Sequence, residues 1–380
     1  MEFDFTWVLL GFPIAFTLGW LASRLDLRQL RIENRQAPKA YFRGLNFLLN
    51  EQQDQAIDAF IEAVQNDPDT SELHFALGNL FRRRGEYERA VRVHEHLMSR
   101  GDLTQPERDR AQHALALDFL KAGLLDRAEV ALRKLEGTSY EEEARLALLS
   151  IYERSRDWSH ATEIAGKLES ASHGSFSNRQ AHYLCEQAAA AVASGDTGLA
   201  LQTLQQAAAL APASPRPLID MAKLQSQLGR HADAFSTLLK LEKTAPQALP
   251  LAAGLLGNIA QQTGQQQQAL ALLQASYAQM PSIDLVEAII KLDDSGAPRD
   301  RYVQHLEREA SLVAAAKWIA GEALGDEQQH ALVQRALDKA TKPLMRYRCA
   351  ACGFEATQHF WHCPGCQAWD SYPARRIEEL

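Results

Sequence analysis

Hydrophobic and polar positions divide the chain into three regimes. Phe5 to Ser23 (FTWVLLGFPIAFTLGWLAS) carries no charged residue over 19 positions. As a helix this run is about 28 Å long, close to the roughly 30 Å hydrocarbon core of a bilayer. From residue 37 onward a different pattern takes over: a helix, a polar turn, and a second helix opening on alanine. The turn-plus-alanine element recurs as EQQDQA ending at Ala56, GEYERA at Ala90, GLLDRA at Ala128, RDWSHA at Ala161, GDTGLA at Ala200, GRHADA at Ala234 and GQQQQA at Ala269. Residues 344–380 abandon this periodicity and bring in four cysteines.

The seven alanines lie 34, 38, 33, 39, 34 and 35 residues apart. Four of the repeats close on a proline (Pro68, Pro212, Pro246, Pro281), each 12 residues after its alanine. This is the period and punctuation of the tetratricopeptide repeat. The spacing has a physical reason. Gly44, Gly78 and the seven alanines let the two helices of a hairpin approach closely. Phe47, Phe60, Phe81, Phe119, Leu132, Tyr152 and Leu204 then fill the space between successive hairpins. No hairpin buries its apolar face alone, so stacking supplies the core, and the predicted fold is an all-α superhelix with a concave surface. The longer intervals place extra residues near 101–106 and 170–178. The organisation expected is an anchor over 1–23, a basic linker over 24–36, seven repeats over 37–281, a helical cap of degenerate repeats over 282–343 and a metal ribbon over 344–380.

Charge orients the first regime. Glu2 and Asp4 precede the apolar run, and Arg24, Arg28, Arg31 and Arg35 follow it. A cleaved signal peptide would carry the opposite order. The run therefore reads as a transmembrane anchor with everything after Arg24 in the cytoplasm. Gly11, Ala15 and Gly19 share one helix face, on which a partner helix can approach closely. The arginines, with Lys39, also share a face, which suits anionic head groups as well as simple topology.

Across 380 residues the net charge of −8 excludes a protein whose main task is coating nucleic acid. Residues 1–348 carry only Cys185, on a helix of the fifth repeat, where it reads as a buried small apolar residue. That distribution excludes a disulfide scaffold and fits a reducing compartment.

Cys349-Ala-Ala-Cys352-Gly353-Phe354 and Cys363-Pro364-Gly365-Cys366 form two Cys-x-x-Cys hooks ten residues apart. Each hook presents two thiolates from a tight turn, and two facing hooks make a tetrahedral four-sulfur site. Tyr347, Phe354, Phe360, Trp361 and Trp369 are candidates for its apolar wrapping. A ribbon this short needs the ion for its stability. The hooks look like those of rubredoxin, which holds iron, while a closed four-thiolate site equally suits structural zinc. Zinc is favoured here. His359 and His362 flank the second hook and read as neighbours rather than ligands.

No phosphate loop, nucleophile elbow or dinucleotide fingerprint is present, and His94-Glu95 has Met98 where a zinc protease needs its second histidine. The chain reads as a non-enzyme. If the repeat register holds, Asn79, Arg82, Arg83, Lys223 and Asn258 line the concave face as a protein-binding surface.

An N-terminal anchor, a repeat array and a C-terminal CxxCGF…CPxC ribbon, in that order, resemble the lipopolysaccharide assembly protein B family across nearly the whole chain. The resemblance implies a single-pass inner-membrane adaptor of Gram-negative bacteria that helps the membrane protease FtsH degrade the deacetylase LpxC, restraining lipopolysaccharide synthesis. It further implies that Cys349, Cys352, Cys363 and Cys366 hold the metal and that the ribbon docks on the repeats as a clasp. Expected partners are FtsH, LpxC and lipopolysaccharide assembly proteins, with a homo-oligomer left open. A general envelope chaperone scaffold and an iron electron carrier are the alternative functions.

Overall fold

The computed structural model describes residue 13 and residues 15–20, 39–170, 175–293, 298–321 and 327–380. Residues 13 and 15–20 are helical and exposed, Ala15 and Gly19 among them, while Gly11 and the arginine stripe from Arg24 to Arg35 lie outside the described residues. Among the described residues no helix is long and apolar enough to cross a membrane.

The rest is helical, and it parts into two compact units, up to Ser155 and from Arg156 onward. The first unit holds α1 (39–49), α2 (Gln53–Asn66), α3 (Ser71–Arg84), α4 (Tyr87–Ser99), α5 (Gln105–Lys121), α6 (Leu125–Arg133) and α7 (Glu141–Ser155). The second opens with α8 (Trp158–Ser170), α9 (Ser177–Ala193), α10 (Thr197–Leu210), α11 (Pro215–Gln227) and α12 (His231–Thr244). A 3₁₀ turn over Pro246–Ala252 then leads into α13 (Ala253–Thr263), α14 (Gln266–Gln279), α15 (Ile283–Leu292), α16 (Pro298–Leu306), α17 (Leu312–Ala320) and α18 (Glu327–Thr341). The two-residue strands β1 (Tyr347–Arg348) and β2 (Glu355–Ala356) pair antiparallel in the ribbon.

The signature alanines behave as the spacing predicts. Ala56, Ala90, Ala128, Ala161, Ala200, Ala234 and Ala269 are all fully buried. Close approach is tightest at two glycines: a Cβ on Gly44 would stand 2.9 Å from the Phe60 ring, and one on Gly78 would stand 2.5 Å from the His94 ring. Phe60, Phe81, Phe119, Leu132, Tyr152 and Leu204 are buried as expected, and Phe47 is half-buried. Each such side chain contributes roughly 1.5–3 kcal/mol of hydrophobic stabilisation.

The turn before each alanine has one backbone requirement in common. Its first residue takes a positive φ in every repeat: Glu51 (59°), Gly85 (83°), Gly123 (77°), Arg156 (58°), Gly195 (87°), Gly229 (74°) and Gly264 (70°). Glycine adopts this left-handed conformation freely, and a residue with a Cβ does so at a cost. Repeats one and four therefore carry strain at Glu51 and Arg156.

The insertion before the third repeat is tied down. Arg100 donates to the carbonyls of Pro68 (3.0 Å) and Asp69 (2.6 Å), and a Thr104–Glu107 capping box starts α5. Arg100 thereby ties the loop to the turn between α2 and α3, and Glu107 satisfies the Thr104 N–H at the loop's end. Cys185 is buried on α9, where burial pushes its thiol up.

Candidate metal centre and its seat on the repeats

The ribbon is built from two hooks with matching backbones. The Cys349 N–H donates to the Phe354 carbonyl and the Cys363 N–H to the Ala368 carbonyl, each at 2.9 Å. The residue after each hook has a positive φ, Gly353 at 78° and Gln367 at 60°. Amides then point back at sulfur: those of Ala351 and Cys352 at Cys349, and those of Gly365 and Cys366 at Cys363.

All four sulfurs lie within 4.8 Å of one another. Cys349 and Cys366 are 3.8 Å apart, and Cys352 and Cys363 are 3.7 Å apart. A disulfide would bring two sulfurs to about 2 Å. A tetrahedron with metal–sulfur bonds of about 2.3 Å has edges of about 3.8 Å, so the cage fits an ion and not a crosslink.

The thiols' ionisation divides the cage into two pairs. Burial opposes ionisation of Cys349, yet the Ser371 hydroxyl and the two hook amides draw its thiol down to about 6. Cys363 is lowered by its own amides in the same way, again against burial. The amides of Phe354 and Ala368 also favour ionised Cys352 and Cys366, but burial and the neighbouring sulfurs outweigh them, pushing Cys352 up to about 12 and Cys366 in the same direction. Four thiolates this close repel each other until a cation stands among them. With all four sulfurs bound, no coordination position is left for hydrolytic chemistry.

His359 and His362 are not part of the cage. His359 Nε2 bonds the Tyr372 carbonyl at 3.0 Å, and His362 stacks on Trp369 with ring centroids 4.3 Å apart. The expected aromatic wrapping is only partly realised. Tyr347 is buried and Phe360 packs with it, but Phe354 is 43% exposed. Tyr372, whose role the hook spacing does not signal, is buried beside Cys363 and donates to the Phe354 carbonyl at 3.1 Å.

Trp361 and Trp369 face the repeats of the second unit instead. Trp369 lies between His362 and the His182 ring of α9 (4.8 Å, 18° between planes), with Trp158 and Tyr183 edge-on around it. His182 is fully buried, and its Nε2 stands 2.9 Å from both Asp370 carboxylate oxygens. Its Nδ1 faces Arg216 at 3.5 Å, which leaves Nε2–H to donate to Asp370. Arg216 is itself held by Glu186 (2.6 Å) and Asp220 (3.2 Å).

A second clamp follows the ribbon. Arg376 forks onto both Asp284 oxygens at 2.9 Å, donates to the Met345 carbonyl at 2.7 Å and lies over the Tyr347 ring. Glu379 accepts from the Ile283 N–H (2.6 Å) and Glu378 from the Val313 N–H (3.0 Å), so two acids cap the N-termini of α15 and α17. The docking that the family resemblance implied is thus present in the second unit.

The residues expected on a protein-binding surface divide. Arg83, Lys223 and Asn258 are exposed. Lys223 borders a groove of about 330 Å³ between α9 and α11, lined also by Cys185, Val192, Arg216 and Leu224. Arg82 is held inside the first unit by Asp118 (2.8 Å), the Ala114 carbonyl (3.1 Å) and Asn79 (2.5 Å). Arg82 and Asn79 are thus tied to one another and to a buried carboxylate while both stay partly exposed.

Family models match the chain in the repeats and in the ribbon. Residues 347–372 match the rubredoxin metal binding domain, and residues 73–109 and 191–259 match tetratricopeptide repeats. Lipopolysaccharide assembly protein B of Escherichia coli K12 is 32% identical, over 97% of this chain and 98% of that protein. Lipopolysaccharide assembly protein B of Haemophilus influenzae is 28% identical, over 94% of this chain and 95% of that protein.

Proposed function

The chain belongs to the lipopolysaccharide assembly protein B family, and from that premise we propose that it is a non-enzymatic inner-membrane adaptor in lipopolysaccharide assembly. In this reading the apolar run over 5–23 confines it beside the membrane protease FtsH, and the repeats present the deacetylase LpxC for degradation. Confinement to the membrane raises the effective concentration of any bound client. Gly11, Ala15 and Gly19 form the protease-side helix face, and Arg83, Lys223 and Asn258 belong to the client side. Cys349, Cys352, Cys363 and Cys366 hold one structural ion, zinc rather than iron.

The observation that carries the reading is the seating of the ribbon by Trp369, Asp370 and Arg376. A closed four-sulfur site fastened to a repeat array is suited to shaping a binding surface. The test is the half-life of LpxC in cells carrying Cys349→Ser/Cys352→Ser, beside the parent and a deletion. The adaptor reading expects the double mutant, present and membrane-bound, to stabilise LpxC as the deletion does. Normal decay in the deletion would sink it in favour of a general envelope scaffold. Exposure of Cys352 and Cys366 favours, as a second reading, an iron electron carrier; red colour and a reversible one-electron couple would mark it.

A further inference from the structure

Six consecutive residues, Gln367 to Tyr372, serve both the sulfur cage and the seat on the repeats. We infer that ion occupancy and ribbon docking are thermodynamically linked, with Asp370 and His182 as positioning residues for the cage although neither touches a sulfur. The inference goes beyond the adaptor reading and does not depend on it.

The segment changes face from residue to residue. The Ala368 carbonyl accepts from the Cys363 N–H at 2.9 Å, and the Ala368 amide points at Cys366. Trp369 and Asp370 then turn outward, onto the His182 ring and its Nε2. Ser371 turns back: its hydroxyl lies 3.2 Å from Cys349 Sγ, and its carbonyl accepts from the Ala350 N–H at 2.7 Å.

Between those two attachments Asp370 has φ of 51°, a left-handed conformation that aspartate tolerates only at some cost. Something must hold it there. Its own N–H donates to the Trp361 carbonyl at 3.0 Å, its carboxylate meets the buried imidazole of His182, and the next residue, Ser371, contacts the first hook. When the sulfurs close around an ion, Ser371 is fixed and Asp370 is presented to His182. When Asp370 is held by His182, Ser371 is presented to Cys349. A contact that is favourable only when its neighbour is formed couples the two, and the coupling factor is the same in both directions. A group that hydrogen-bonds a metal ligand directly, as Ser371 does, typically changes metal affinity 10- to 100-fold, and Asp370 and His182 act through it at the low end of that range.

The experiment loads the full-length protein with zinc and follows transfer of the ion to excess chromogenic chelator. His182→Ala and Asp370→Asn should release zinc about tenfold faster than the parent or more. Asp370→Asn keeps the side-chain shape, which guards against a general folding failure. Arg43→Ala, an exposed change in the first unit, should keep the parental rate. In the reciprocal direction, stripping zinc from the parent should raise hydrogen exchange in α9, around His182. Parental release rates in both variants, with Trp369 fluorescence showing the ribbon displaced, would overturn the linkage while leaving the metal site standing. A parent that takes up no zinc would overturn the metal reading itself.

Discussion

His94 and His182 are both fully buried, and each stands beside an arginine and an aspartate. In the first unit every member comes from the repeats. His94 of α4 bonds Asp118 of α5 through Nδ1, and Arg82 of α3 bonds the other oxygen of the same carboxylate. In the second unit the imidazole and the arginine come from α9 and α11, but the aspartate is supplied by the ribbon. Arg216 has acids of its own in Glu186 and Asp220, so His182 is the group that depends on docking. The first cluster draws its aspartate from the repeats, though His94 Nε2 has no partner among the described residues, whereas in the second the ribbon supplies the partner of His182 Nε2. A buried polar group without a partner costs about 1–3 kcal/mol, and the ribbon removes that cost when it docks.

The largest expected effect tests this asymmetry. Asp118 is fully buried and serves two partners, so Asp118→Ala should destabilise the first unit by roughly 3–5 kcal/mol. Asp370 has a side chain 47% exposed, so water can replace part of what Asp370→Ala removes, and the loss should stay near about 1 kcal/mol. Denaturant unfolding of both variants checks this. Equal losses would mean that the two clusters are not different in kind.

Next in size is the close approach behind His94. Gly78→Ala would put a methyl 2.5 Å from the ring, which sits where its hydrogen bond to Asp118 fixes it. About 1–3 kcal/mol should be lost through overpacking. Gly257→Ala meets nothing nearer than Leu292 at 3.9 Å. There alanine should be neutral or mildly stabilising, since it favours helix by up to about 1 kcal/mol over glycine. Melting temperatures of the two variants decide the point. A tolerated Gly78→Ala would show that the His94 cluster can move.

How far the sequence revealed this depends on the range of each interaction. The repeats were legible because a hairpin's alanines and closing prolines recur at a fixed offset, and Ala56 through Ala269 are buried as that periodicity requires. The cage was legible because its ligands sit on two short hooks. The Arg82–Asp118 pair was not legible, because the carboxylate lies 36 residues from the arginine it holds. Asp370 and His182 are 188 residues apart and share no motif, so only the fold brings them together. The division at Ser155 was equally silent, falling just before the fourth repeat's turn; where five repeats open on glycine and the first on Glu51, this one opens on Arg156.

That residue gives the smallest and cleanest effect. Arg156 opens its turn at φ 58°, where five other repeats have glycine, and Gln367 does the same at 60° where the first hook has Gly353. In both positions the backbone already adopts what glycine prefers. Arg156→Gly and Gln367→Gly should each relieve a strain of about 1 kcal/mol. Glycine's greater freedom in the unfolded chain takes back part of that gain. A net stabilisation of about 0.5 kcal/mol by Arg156→Gly should appear as a small upward shift of the second unit's unfolding midpoint. The Gln367 change should act instead on the ribbon. By easing the turn that closes the second hook, it should slow zinc release without moving that midpoint in the zinc-stripped protein. If Gln367→Gly shifted both equally, the ribbon's backbone strain would be carried by the repeats and not by the cage.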